Sequence, residues 1–361
     1  MDTQFYMPVR VIEGEECVCR NAALFAPFGR RALIVTGKSS ASNGSLADAA
    51  AVLEANGQAY EIFDRIPQNP TVEYVREGAE AAKRCGAEFV VAVGGGSPMD
   101  AAKAIALLAR QEIEDLYARP ICGDALPMIH IPTTAGTGSE VTPYSILTRN
   151  DKETKQSISA PSLFPKIAFL DGKYTESLPQ SITVNTAIDA VSHAVEGMLS
   201  SKAGAASDAL ARESLRILLG EYESLRAGEY SPAVRQNLLR GAALAGMVIA
   251  NTGTSPVHTL GYSLTYYHGV PHGRANGLLL PAFLRRCFEK DAPLTRRIYA
   301  ALGMDAEEFS EKISALLGER ERFPQETLRA WAEKAAKNKK NCAILFTEQE
   351  LFEILSASVG K

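Results

Sequence analysis

The 361-residue chain holds only five histidines, at positions 130, 193, 258, 268 and 272, and four of them lie beyond residue 180. Asp189 and His193 stand four residues apart in the run from Asn185 to Glu196, a spacing that puts both side chains on one helix face and lets them offer an oxygen and a nitrogen to one ion. His258 and His272 are fourteen residues apart. On one straight helix they would lie about 21 Å from each other at ~1.5 Å per residue, too far to share an ion with bonds of ~2 Å. The chain must therefore turn between them; Gly261, Gly269 and Pro271 supply the means, and Pro271-His272-Gly273 reads as a helix entry with the imidazole at its start. Three imidazoles and one carboxylate suit iron(II) or zinc, and the lack of a thiolate ligand removes one pull toward zinc. A lone histidine is more often a satisfied core residue, and it is the Asp/His pair joined by two glycine-flanked histidines that lifts this set above that reading. His268 reads as a proton relay or a loop residue in preference to a spare ligand, and His130, inside an apolar run, as structural.

A second site lies upstream. Val91-Ala92-Val93-Gly94-Gly95-Gly96-Ser97-Pro98-Met99-Asp100 runs from a strand through three glycines into a helix, where backbone N–H groups can approach a phosphate with no Cβ in the way. Ser97 is expected at the N-cap, Pro98 at the first helical position and Asp100 at the third, a variant capping box that aims the helix dipole at the loop. Met99 replaces the third glycine of the usual dinucleotide fingerprint. A tight strand-to-helix turn would use the same glycines, and it is the place after a buried strand that favours pyrophosphate. Earlier, Thr36-Gly37-Lys38-Ser39-Ser40 follows a strand without an acidic residue to accept from a ribose 2′-hydroxyl; hydroxyls and a lysine suit a phosphate better, a ligand-free Gly/Ser turn being the alternative.

These residues need a scaffold. Residues 32–36, 60–63, 87–93 and 127–131 form short apolar runs typical of buried strands, and residues 45–53, 72–85 and 100–110 between them are helical in composition. Such alternation implies a parallel sheet with right-handed crossovers. Beyond about residue 180 strand-like runs vanish, and residues 187–199, 206–219 and 233–250 carry helical periodicity. The chain thus divides near Leu178-Pro179 into an α/β domain (1–180) with a parallel sheet and an all-α domain (181–361), a division that its length also favours.

Composition narrows the class. Charged residues at 22% and apolar residues at 46% describe an ordinary globular protein. A net charge of −4, spread along the chain, excludes a nucleic-acid partner. The stretch from Lys334 to Lys340 reads as a solvated helix face. Six scattered cysteines at 17, 19, 85, 122, 287 and 342 favour a reducing, cytoplasmic compartment; Cys17 and Cys19 fit a strand with both thiols on one face. No basic, then apolar, leader begins the chain, and no apolar run is long enough to span a membrane.

At these residues the sequence resembles the iron-containing (group III) alcohol dehydrogenase family. The resemblance runs along nearly the whole length, through residues 94–103, 131–142 and 189–196, His258-Thr259-Leu260-Gly261 and Pro271-His272-Gly273. It implies a dehydroquinate synthase-like fold, with an N-terminal dinucleotide-binding domain, an all-α metal-binding domain, and a metal in the cleft between them held by Asp189, His193, His258 and His272. It also implies cofactor contacts from Gly95, Gly96 and Ser97 to the pyrophosphate, from Thr133, Thr134 and Thr137 nearer the adenine and nicotinamide ribose, and from Lys155 near the nicotinamide, with Asp100 of the same signature counted in the cofactor site. Many members have Asp where this chain has Gly37. Members with Gly resemble NADP users, so NADP(H) is expected over NAD(H), with Gly37, Ser39 and Ser40 beside the 2′-phosphate. The implied reaction is hydride transfer between the nicotinamide and a small primary alcohol, diol or aldehyde polarised by Fe2+, with Zn2+ the alternative ion and His268 passing the proton. A cytoplasmic homodimer is the family habit. The rivals are a zinc-dependent, NAD-linked polyol dehydrogenase of the glycerol dehydrogenase kind and a non-catalytic nucleotide- or metal-binding scaffold.

Overall fold

The computed structural model describes residues 3–117, 121, 123–338 and 341–361. The backbone divides into two units. One is formed by Met7–Leu178 with Ser231–Ala243, the other by Pro179–Tyr230 with Leu244–Lys361 and the segment ending at Tyr6.

In the first unit, β1 (Arg10–Glu13), β2 (Arg31–Thr36), β3 (Ala59–Phe63), β4 (Phe89–Gly94), β5 (Met128–Pro132) and β8 (Ile167–Leu170) make one six-stranded sheet in the order β1-β8-β5-β4-β2-β3. Every pairing in it is parallel. Such a sheet is covered on both faces, so its central strands need apolar side chains at every position. The strands β2 and β4 meet that demand between their ends: Leu33, Val35, Val90 and Ala92 enter one core, while Ala32, Ile34, Phe89, Val91 and Val93 enter the other. Helices α3 (Val72–Cys85) and α4 (Gly96–Arg110) supply the first core, and α2 (Ser45–Ala55) supplies the second. The chain leaves β2 for β3 on one side and returns to place β4 on the other. The carboxyl ends of β2 and β4 therefore flank a reversal of strand order, the usual place for a ligand in an open α/β sheet. His130 on β5 is fully buried, and burial, with the nearby charge of Lys103, holds its imidazole neutral, far below the ordinary histidine range.

Cys17 and Cys19 depart from expectation. They lie in a single helical turn, α1 (Cys17–Arg20), because Gly14 and Glu16 take positive φ and turn the chain out of β1. The described cysteines are free, and Cys122 lies outside the described residues. No helix among the described residues is long and apolar enough to cross a membrane.

A separate antiparallel hairpin, β6 (Tyr144–Arg149) with β7 (Thr154–Ser159), is fastened to α4 through polar groups. The Lys103 ammonium is fully buried and donates to Ser139 Oγ (2.7 Å), Thr142 Oγ1 (3.3 Å) and the Tyr144 carbonyl (2.8 Å). Asp100 accepts from Ser139 Oγ and from the Ile146 amide and lies 3.6 Å from Lys103. Burial pulls the Lys103 ammonium down to about 8, against the charges of Asp100 and Glu140, and pushes the buried Glu140 carboxyl up to about 7.

The second unit is helical: α5 (Gln180–Met198), α6 (Ala205–Gly220), α7 (Tyr222–Ala227), the later part of α8 (Pro232–Thr252), α9 (Pro256–His268), α10 (His272–Lys290), α11 (Ala292–Leu302), α12 (Ala306–Leu317), α13 (Gln325–Ala336) and α14 (Glu348–Val359). The basic stretch begins on an exposed face of α13, where Lys334 bonds Tyr267, and Lys337 just past its end pairs with Glu333; Lys339 and Lys340 lie outside the described residues.

Two outcomes are expected of the buried cluster in the first unit. Lys103→Met leaves Asp100 uncompensated and lowers unfolding free energy by about 3–5 kcal/mol, read by urea denaturation. The Glu140 carboxyl is raised in the folded chain, so its contribution is complete below pH ~4.5 and declines as pH rises through about 7. In Glu140→Gln the thermal midpoint should lose that decline, and an unchanged pH slope between 5 and 7 contradicts the assignment.

Candidate functional site

In the first unit the glycine loop and the threonine loop come together. Helix α4 starts at Gly96 with Gly95 as its N-cap, and no side chain caps it. Ser97 is thus inside the first turn, where its hydroxyl accepts from the Asn69 amide at 3.2 Å. This corrects the capping box expected from the sequence: a glycine N-cap leaves the first amides of α4 uncovered by any side chain, which suits an anion better than a serine cap does. The Thr133 amide donates to the Gly94 carbonyl at 2.9 Å. A Cβ on Gly96 would meet Thr137 Cγ2 at 2.7 Å, so any larger residue forces the Thr137 side chain to move. Asp100 is turned away from the loop into the Lys103 cluster, where both carboxylate oxygens are engaged. It holds the loop and hairpin together. Lys155 lies on β7, paired in register with Thr148.

At the end of β2, Lys38 and Ser39 are exposed but Ser40 is not. Ser40 is buried and donates its hydroxyl to the Val93 carbonyl at 3.2 Å, which withdraws it from the expected contact with a 2′-phosphate. Gly37 also has a packing reason, since a Cβ there would stand 3.1 Å from the Ile66 carbonyl oxygen.

In the second unit, three helices converge on one point. Asp189 comes from the middle of α5, His258 from the first turn of α9 and His272 from the first residue of α10. Their ligand atoms all lie within 4.8 Å of one another. Asp189 Oδ1 is 3.6 Å from His258 Nε2 and 3.9 Å from His272 Nε2, separations close to those of donors about 2 Å from a common ion. His193, one turn after Asp189, stacks its ring on His258 at 4.6 Å between centroids. The turn demanded by the fourteen-residue spacing is present: α9 ends at His268, Gly269 takes positive φ, and Pro271 precedes α10. Close approach of α10 to α5 brings His272 to Asp189, and Gly273 permits it, because a Cβ there would fall 1.9 Å from the Asn185 carbonyl oxygen.

The electrostatics are those of a cation site. Burial alone would raise the Asp189 carboxyl, but the facing charges of His193, His272 and His258 hold it well below the carboxylate range. Burial would lower His258, yet Glu196 and Asp189 push it up to about 9. A single donor, the buried Asn276 amide nitrogen, stands 2.9 Å from Asp189 Oδ1, 3.1 Å from His258 Nε2 and 3.3 Å from His272 Nε2. One carboxylate oxygen and two imidazole nitrogens turned to one point are the donor set that iron(II) or zinc takes.

His268 is not brought to this point. It ends α9, ten residues and therefore about 15 Å along the helix from His258, and its exposed ring packs on Phe323 and Trp331. Three residues that the sequence reading left without a role do gather here: Glu196, Tyr262, whose ring stacks on His272 at 5.4 Å, and Asn276. Each lies one or two helical turns from a candidate ligand on the same helix, a signal available in the sequence.

A doubly wound sheet with a bare glycine loop, together with a buried Asp/His cluster in a helical unit, defines the class of metal-dependent, dinucleotide-linked dehydrogenases. Comparison with known proteins makes this specific. Residues 8–172 match the family pattern described as iron-containing alcohol dehydrogenase, and residues 183–359 match the C-terminal pattern of the same family. The chain is 32% identical over 286 residues to lactaldehyde reductase of Escherichia coli (strain K12), covering 78% of this chain and 74% of that protein. Its fold superposes on an iron-containing alcohol dehydrogenase from Thermotoga maritima with a TM-score of 0.92, at 39% identity and 99% coverage of both chains. A sulfoacetaldehyde reductase from Bifidobacterium kashiwanohense, solved with NAD+, gives 0.88 at 27% identity and 99% coverage of both. The chain belongs to the iron-containing alcohol dehydrogenase family and is an oxidoreductase of alcohols and aldehydes.

Gly273→Ala should force α10 from α5, costing about 1–3 kcal/mol of stability and weakening metal binding. The checks are thermal unfolding and a metal titration, and wild-type values in both contradict the role given to that contact.

Proposed function

We propose that the chain transfers hydride between a nicotinamide dinucleotide and a small primary alcohol, diol or aldehyde, with iron(II) held by Asp189, His258 and His272 and completed by His193. The observation that carries this reading is the convergence of the first three on one buried point. An ion bound there supplies a Lewis acid for the alcohol or aldehyde oxygen, and the bound nicotinamide takes or gives the hydride. Asn276 and Glu196 keep the ligand atoms aimed inward, with Asp189 and His258 buried and His272 open in part to solvent. The work of residues 1–180 is to bind the dinucleotide and that of residues 181–361 to bind metal. The amides at Gly95, Gly96 and Ser97 hold the pyrophosphate at the start of α4, the threonines at 133, 134 and 137 fix the ribose side, and Lys155 serves the nicotinamide end.

NADP(H) is the preferred cofactor. Support comes from the lack of a carboxylate after β2 and from the exposed Lys38 and Ser39, which offer a cation and a hydroxyl to a 2′-phosphate. The names of the relatives, lactaldehyde reductase and 1,3-propanediol dehydrogenase among them, favour small oxygenated substrates. The free cysteines suit the reducing cytoplasm, and a homodimer follows the family resemblance.

Asp189→Ala and His272→Ala, purified anaerobically, should lose bound iron and reduce aldehyde turnover by roughly 100-fold or more while circular dichroism stays unchanged. Full turnover in metal-depleted variants sinks the site. Comparing kcat/KM for NADPH and NADH with one short aldehyde tests the cofactor, and a higher value with NADH overturns that preference.

A further inference from the structure

We propose that Glu196 is a positioning residue for the metal centre: its carboxylate fixes the orientation and the proton of the His258 imidazole, leaving Nε2 as the ligating nitrogen. The inference rests on the reading of Asp189, His258 and His272 as metal ligands.

Glu196 lies seven residues after Asp189 on α5, two turns along the same face. It is fully buried. One oxygen accepts from Ser255 Oγ at 2.6 Å, from the Ser255 amide at 3.0 Å and from the His258 amide at 3.4 Å. The other meets His258 Nδ1 in a short contact. An ionised carboxylate can only accept, so Nδ1 carries the proton. At the opposite edge of the ring, Nε2 lies 3.1 Å from the Asn276 amide nitrogen, which can only donate, so Nε2 presents its lone pair. Both neighbours thus dictate one tautomer, and the presented nitrogen is the one that faces Asp189 and His272.

The same carboxylate stands in for the missing cap of α9. Ser255 is the N-cap and makes no side-chain cap bond of its own, and the Ser255 and His258 amides at that end turn to Glu196 instead. A purely capping role and a positioning role make different demands. Capping needs an acceptor for amide hydrogens, which a glutamine oxygen also provides. Positioning needs a negative group behind Nδ1, and such a partner raises the basicity of a ligating imidazole; its loss costs about 10- to 100-fold in metal affinity.

The test is a chelator-competition titration of the metal-free chain with Co2+ or Zn2+ at fixed pH, comparing wild type, Glu196→Gln and Ser255→Ala. Glu196→Gln should raise the dissociation constant by about 10- to 100-fold, while Ser255→Ala, which removes one cap bond and leaves the His258 contact, stays within about twofold of wild type. Nitrogen-15 correlation spectra of histidine-labelled, Zn2+-loaded wild type should place the His258 proton on Nδ1, a readout that survives even if Glu196→Gln fails to fold. A folded Glu196→Gln that binds as tightly as wild type, or a His258 proton on Nε2, overturns the inference and leaves the metal site standing. A wild-type chain that binds neither ion overturns both together.

Discussion

A buried carboxylate among imidazoles sets the terms for the helical unit. Asp189 sits inside helix packing that would neutralise an isolated acid, and it keeps its charge because His193, His258 and His272 face it. Such a group tolerates no slack, since any ligand that drifts away leaves a charge without compensation. The backbone reflects this. Three helices contribute one candidate ligand each to the converging group, and glycine is required where α10 crosses α5. The supporting residues answer the same constraint from behind: Glu196 meets the outer edge of His258, and Asn276 bridges Asp189, His258 and His272.

The α/β unit solves a different problem with related means. Its glycine loop must leave backbone amides uncovered at the start of α4, and loops without side chains hold their shape poorly by themselves. The rigidity comes from below the loop. Asp100 and Lys103, one turn apart on α4, bind the segment after the threonine loop and the β6–β7 hairpin in one buried polar cluster. A charged pair in a core is a weak source of stability, yet its geometric demands are strict. Here those demands hold two loops in register, which explains why Asp100 turns inward rather than toward a nucleotide.

Much of this was legible in the sequence, for reasons that vary by residue. The i, i+4 pair on α5 and the turn forced between His258 and His272 followed from helix geometry, and the parallel sheet followed from the alternation of helices with strands such as β2 and β4, whose buried positions are apolar but for Thr36 and Gly94. Ser40 and Ser97 were misread because composition cannot say which way a hydroxyl points; one is spent on the Val93 carbonyl and the other on the Asn69 amide. His268 ends α9 and His272 begins α10, so four residues of sequence span a change of helix that composition alone does not reveal. Glu196 and Asn276 were overlooked although their spacings from Asp189 and His272 put them on the ligand-bearing faces. Glu196 meets Ser255 and His258 of α9, and Asn276 meets Asp189 of α5 and His258 of α9 as well as His272 of its own helix, and those cross-helix pairings are tertiary information.

The central claim is that this chain holds its metal with carboxylate and imidazole donors from three helices and with no thiolate. X-ray absorption spectroscopy of the iron-loaded chain tests it most directly. The account predicts a first shell of oxygen and nitrogen only, at roughly 2.0–2.2 Å, with the outer-shell signature of imidazole. A sulfur shell near ~2.3 Å, or an iron without imidazole, would contradict it.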